Sequence, residues 1–144
     1  MKRIIVLFAF LMLATFSGFA NDVKVSPAVR QAFKAKFTGA ENVTWSEVNE
    51  FTVAAFTLDD IKQYAYFNNA GELTVLAQPL TLKQLSKKQQ ANLQNDYNNY
   101  AIVDLYKTDD SEEVRYYAVI ENETQRIILS TTLAKWEVVK TINR

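Results

Sequence analysis

The chain has 144 residues, with 16 basic and 16 acidic side chains, three glycines, two prolines, and neither histidine nor cysteine. This composition excludes thiol nucleophiles, disulfide staples and the usual zinc-binding sets, and it removes the commonest general base. Without a basic stripe the chain also lacks the electrostatic footprint of a nucleic-acid binder, so nucleic acid is not expected as a partner.

Residues 1–20 read as an export signal. Lys2 and Arg3 precede the apolar run Ile4–Phe16, and Ser17-Gly18-Phe19-Ala20 places small residues at a cleavage site. The run is shorter than the roughly 20 residues of a membrane span. Removing the segment leaves 124 residues with 14 basic and 16 acidic side chains, a net charge of −2. A periplasmic or secreted protein is expected, with no membrane insertion once the signal is gone. Its core has to be stabilised by burial alone, for which this length is adequate.

The first element is a helix. Ser26-Pro27 supplies an N-cap and a proline at the first helical position; Val29, Phe33 and Phe37 recur every fourth residue with Ala32 beside them, and Gly39 marks the stop. Alternating runs at Thr44–Val48, Phe51–Leu58, Ile61–Asn68 and Glu72–Ala77 predict four strands. Asp59-Asp60 and Asn68-Asn69-Ala70-Gly71 form turns between them.

A degenerate copy of this pattern returns sixty positions later. Val25 matches Leu85, Ser26 matches Ser86, Phe33 matches Leu93, Phe37 matches Tyr97, Val43 matches Val103 and Trp45 matches Leu105. Two capping boxes compete for the second helix start, Thr81 with Gln84 and Ser86 with Gln89; the repeat favours Ser86. Gln89 and Tyr97 make this second stripe less apolar than the first. Strands are expected at Tyr100–Lys107, Val114–Glu121, Gln125–Thr132 and Trp136–Ile142, with Asp109–Glu113 enlarging one loop. The predicted fold class is α+β: a tandem repeat of a helix plus a four-stranded antiparallel sheet, helices packed on one sheet face. The first repeat and linker would occupy 21–84 and the second 85–144.

The stretch from Val25-Ser26-Pro27-Ala28-Val29 through Ala32-Phe33, Phe37-Thr38-Gly39-Ala40 and Val43-Thr44-Trp45 resembles the PepSY-like, β-lactamase-inhibitor-like family of small exported bacterial proteins. Phe51–Phe56, Tyr64–Phe67 and Asn69-Ala70-Gly71 are similar to that family's later strands and glycine turn. In the second half Leu85-Ser86, Leu93, Tyr97 and Ile102-Val103 carry the likeness. Thr38 and Ser86 stand where the family often has proline, and the second half lacks the glycine turn. The resemblance rests on packing motifs. It implies a tandem helix-plus-sheet architecture and a non-catalytic role in binding or inhibition.

No serine sits in a glycine-framed elbow, and no phosphate- or dinucleotide-binding loop is present. Adjacent Asp59-Asp60 reads as a hairpin turn, because neighbouring turn residues point apart and make a poor glycosidase pair. The tract Asp109–Glu113 offers carboxylates to a cation such as calcium but lacks the spaced ligands and glycine of a known loop, so solvated charge is the better reading. Asn42-Val43-Thr44 and Asn122-Glu123-Thr124 match glycosylation sequons, which in a bacterial-looking chain are read as chance. No catalytic residue, metal or cofactor is expected.

Alternation in the strands sets Lys62, Tyr64 and Tyr66 opposite Ile61, Ala65 and Phe67, and sets Arg115, Tyr117, Val119 and Glu121 opposite Val114, Tyr116, Ala118 and Ile120. Tyr64, Tyr66, Tyr117 and Arg115 are therefore expected to be exposed on a helix-free sheet face and to bind an envelope or extracellular protein or peptide. Cross-strand stabilisation of a solvated sheet accounts for the same pattern. A periplasmic sensor binding a small molecule or ion between the repeats is the alternative function. Trp45 and Trp136 are assigned to the core.

Overall fold

The computed structural model describes residues 23–110 and 112–144. The export signal expected at 1–20 lies outside the described residues. Helix α1 (Pro27–Lys36) is followed by strands β1 (Glu41–Val48), β2 (Phe51–Leu58), β3 (Ile61–Phe67) and β4 (Leu73–Pro79). After a 3-10 turn (Leu82–Gln84) come helix α2 (Lys87–Asp96) and strands β5 (Ala101–Asp109), β6 (Val114–Glu121), β7 (Gln125–Thr131) and β8 (Glu137–Asn143).

The strands belong to one antiparallel sheet in the chain order β1 to β8. This corrects the expected tandem repeat of helix plus four-stranded sheet. Among the described residues, eight strands of seven to nine residues against two ten-residue helices make a sheet-dominated fold. An internal sequence offset reports local elements; strand pairing further along the sheet leaves no trace in it.

Two compact units divide the described residues. One holds residues up to Gln78 with Asp109, Asp110 and Glu112; the other holds Pro79–Thr108 and Glu113–Arg144. In the first unit Ser26 caps α1, its hydroxyl accepting from the Val29 amide at 3.3 Å. The helix lays Val29, Phe33 and Phe37 onto Ala54, Phe56, Ala65 and Phe67 of β2 and β3. Phe33 sits at the centre, its ring 5.0 Å from Phe56, 5.2 Å from Trp45, 5.3 Å from Phe37 and 6.4 Å from Phe67. The small residues Ala54 and Ala65 leave room for these rings.

Turn chemistry fixes the register. Asp59 and Asp60 both have positive φ, 51° and 62°, between the paired residues Leu58 and Ile61. Those angles give the type I′ twist that suits a two-residue hairpin, so the two carboxylates serve the turn. Asn68 organises the next turn by accepting from the amides of Ala70 and Glu72, each at 3.0 Å. Gly71 has φ +82°, and a Cβ there would lie 2.9 Å from the Ala28 backbone, so both the turn and the helix contact require glycine.

In the second unit both competing helix starts are used. Thr81 and Gln84 make a capping box on the 3-10 turn, and Ser86 and Gln89 make another on α2. Leu85 and Leu93 pack on Leu105, Ala118, Ile120, Ile127, Leu129 and Trp136. Gln89 is only 3% exposed, yet its side-chain oxygen accepts from the Ser86 amide at 2.9 Å and its backbone carbonyl accepts from the Trp136 indole N–H at 2.9 Å. Asn122 anchors the β6–β7 turn by accepting from the amides of Thr124 and Gln125 at 3.0 and 2.9 Å. An asparagine turn there needs no glycine.

Candidate functional site

The residues singled out in the sequence separate by burial. Tyr66 and Tyr117 are 2% and 3% exposed, which corrects the expectation that both stand on an open face. Their faces follow from alternation as expected. The centres of β2, β3, β6 and β7, however, are buried on both sides: Val53 beside Ala54, Tyr66 beside Phe67, Val119 beside Ile120, and Ile128 beside Leu129. Unbroken runs such as Ala118-Val119-Ile120 and Ile127-Ile128-Leu129 carry that signal, since a sheet solvated on one side alternates more strictly. Arg115 is half-buried and pairs with Glu113, two residues before it and just ahead of β6.

Tyr64 is half-buried, between the buried residues Gln63 and Ala65 of its own strand. The register places Thr44, Ala55, Tyr64 and Ala77 in one cross-strand row on β1 to β4. Glu41, Thr57 and Lys62 form the row beside it. Because Ala55 is short, the sheet is hollowed between Thr44 and Tyr64. The hollow is about 340 Å³, bounded by Asn42, Thr44, Thr57, Lys62 and Tyr64. The Lys62 ammonium lies 5.5 Å from the centre of the Tyr64 ring, a cation–π distance. Asn42 enters through a bulge between Glu41 and Thr44, where its φ is 52°. Alternation singled out Lys62 and Tyr64 but not Asn42, because the first strand was expected to begin at Thr44 whereas β1 begins at Glu41.

On the helix side of the same strand lies a second recess, about 410 Å³, lined by Phe33 of α1, Phe37 just past its end, and Val43 and Trp45 of β1, with Arg30 and Lys34 on its rim. Its floor is aromatic because Trp45 is half-buried rather than covered by the helix, which ends at Lys36, before the turn in which Gly39 has φ +87°. Helix α1 carries Arg30, Lys34 and Lys36 and no acidic residue. Arg30 and Lys34 are four apart and so share one helix side. The basic composition of α1 was the available sign of this recess; reading Trp45 as core hid it.

Among the described residues no group of three or more acidic side chains is placed to hold a metal ion, and no helix is long and apolar enough to cross a membrane. Asp110 accepts from the Glu112 amide at 3.1 Å, an ordinary turn contact in the acidic loop.

No protein-family model matches the sequence, and no curated protein is similar to it. Solved structures do share its fold. A DUF2874 family protein from Bacteroides uniformis is 14% identical, with a TM-score of 0.73 over 83% of this chain and 89% of that one. A candidate periplasmic protein from Bacteroides eggerthii is 17% identical, with a TM-score of 0.71 over 88% and 90%. A BLIP-like protein from Bacteroides fragilis is 16% identical, with a TM-score of 0.68 over 85% and 90%. At these identities the likeness is one of fold. It agrees with the β-lactamase-inhibitor-like side of the resemblance read from the sequence and does not extend to the PepSY-like side.

Proposed function

We propose that this chain is an exported, non-catalytic binding protein that recognises a protein or peptide through the helix-free face of β1–β3, at the hollow over Ala55. The observation that carries this reading is the Lys62–Tyr64 pair beside the hollow over Ala55. A rigid sheet presents there an aromatic ring, a cation and the hydroxyls of Thr44 and Thr57, the mixture that suits protein contact at small entropic cost. Export is supported by the order of charged, apolar and small residues in 1–20 and by the fold shared with a candidate periplasmic protein. The fold shared with a BLIP-like protein supports an inhibitor-like form of the same role. The lack of histidine, cysteine and nucleophile motifs supports a role without catalysis.

The test compares Tyr64→Ala with the unaltered mature chain in crosslinked capture from a native envelope extract, with melting measured in parallel. Loss of about 2 kcal/mol of binding, roughly thirtyfold, at nearly unchanged stability is the expected result for an anchor. Undiminished capture by Tyr64→Ala overturns the reading.

A further inference from the structure

The two recesses flank one strand. Strand β1 stands at one end of the strand order and pairs with β2. Thr44 shares the row of Ala55 and Tyr64 on the helix-free face, whereas Trp45 shares the row of Ala54 and Ala65 beneath α1. Val43 and Trp45 thus line the basic aromatic recess, and Asn42 and Thr44 line the polar hollow.

We propose that β1 is the docking edge for an extended peptide segment, which adds as a further strand and sends alternate side chains into the two recesses. The inference rests on the binding role given above and names its mode and ligand class. In strand addition, main-chain hydrogen bonds supply affinity and pockets for alternate side chains supply specificity. Successive side chains on one face of a strand are about 7 Å apart, so neighbouring positions of one peptide serve both sides of β1. The helix-side recess has an aromatic floor, and the charged side chains that line it, Arg30 and Lys34, are both cations. It therefore takes an apolar side chain with a carboxylate beside it. The opposite hollow, edged by Asn42, Thr44, Thr57 and Lys62, takes a small hydroxyl or amide side chain. The ligand is an acidic, aromatic segment whose intervening residues are small and polar.

Lys34 also lies in the last turn of α1, where a cation favours the helix dipole, and a bulge with Glu41 and Glu47 beside it is a known way to keep an edge from pairing with itself. One experiment separates those roles from docking. The mature chain is titrated, by amide and indole NMR, with a short capped peptide that alternates threonine with phenylalanine and glutamate. Docking shifts the amides of β1 and the indole of Trp45. Exchanging the peptide's glutamate for lysine then weakens binding at least about tenfold, because the charge now meets Arg30 and Lys34. Arg30→Glu with Lys34→Glu inverts that preference; if the double reversal unfolds the helix, Lys34→Gln reduces the preference instead. Methylating the peptide's edge-facing backbone nitrogens abolishes binding.

Equal binding of the methylated peptide, or shifts confined to Lys62 and Tyr64, overturns strand addition while leaving face recognition intact. No peptide binding, with envelope capture still dependent on Tyr64, has the same meaning. Peptide docking at β1 with capture independent of Tyr64 removes the face contact and keeps the edge. Concentration-dependent dimers that protect the β1 amides without peptide assign the edge to a second copy of the chain and overturn the proposal.

Discussion

The cores beneath the two helices do the same job with different physics. Under α1, Phe33 touches four other aromatic rings. Under α2, the packing partners are mainly aliphatic, and position is set by hydrogen bonds: the Ser86–Gln89 capping box, Trp136 donating to the Gln89 carbonyl, and the Asn92 amide donating to the Ala134 carbonyl at 3.1 Å. Aromatic contact is worth about 0.5–1.5 kcal/mol per pair beyond the area buried and tolerates some sliding. Hydrogen bonds add about 1 kcal/mol each and fix direction. A short helix with few apolar residues is thus held by directional bonds, and one with a full stripe by bulk.

The largest expected effect comes from Phe33→Ala. Truncating a buried phenylalanine costs about 3–5 kcal/mol, and here every ring contact at the centre of the cluster goes with it. Leu93→Ala is expected to cost less, near the lower end of about 2–5 kcal/mol, because the capping box and the Trp136 bond continue to hold α2. Denaturant melts of the two variants check the order. A milder Phe33→Ala would mean that aromatic bulk is not what holds the first helix.

This contrast was partly legible in the sequence. The four-residue spacing of Val29, Phe33 and Phe37, the Ser26 cap, the Asp59-Asp60 hairpin and both capping boxes are local features, and local chemistry decides them. Gln89 read as a weak point in the second stripe because periodicity records polarity, not whether a partner waits. Its partners, Ser86 and Trp136, are three and 47 residues away. Tyr66 and Tyr117 failed for a related reason: alternation names a residue's face but not whether that face is covered. Tyr64 stayed accessible because the strand next in register presents Ala55 there. The recess beside Trp45 depends on α1 ending at Lys36, three residues before the Gly39 that marked its stop in the sequence.

An intermediate effect is expected where the two tryptophans are compared. Trp136→Phe keeps most of the apolar area but removes the only donor that side chain offers, leaving the buried Gln89 carbonyl without it. That carbonyl keeps its helical bond from the Leu93 amide, so the loss is one buried hydrogen bond of about 0.5–1.5 kcal/mol plus the space left by the smaller ring, together about 1–3 kcal/mol. Trp45→Phe removes area from a half-buried ring whose contact with Phe33 is edge-on, at 69°, and a phenylalanine keeps that geometry. Its cost is expected below about 1.5 kcal/mol. Equal costs at the two sites would erase the distinction between a bonded and a packed core.

The smallest expected effect concerns pH and belongs to the second unit. Glu121 on β6 faces Arg126 on β7, accepting from its Nε at 3.0 Å and its Nη2 at 2.7 Å, and Arg144 lies 3.5 Å away. The Arg126 hydrogen bonds, with Arg144 adding to them against some loss of hydration, hold the Glu121 carboxyl below its ordinary value of 4.5. A carboxyl that binds its proton more weakly when folded leaves the unfolded chain with more protons between the two values, so stability rises with pH there. The contribution is whole above the ordinary value and is lost as pH falls through the lowered one. Glu121→Gln keeps the shape and removes the titration. The difference between the stability–pH curves of the two proteins, from urea melts between neutral and acid pH, is expected to be flat at neutral pH. It should narrow as the medium turns acid, by a small amount because the pair is solvated and screened. A truncation such as Phe33→Ala in the aromatic core should instead shift stability by the same amount across that range, since the side chains of that cluster carry no group that titrates there. A difference curve for Glu121→Gln that stays flat into acid would mean the strand-end ion pairs contribute nothing, leaving the capping box and the Trp136 bond as the polar features that distinguish the second core.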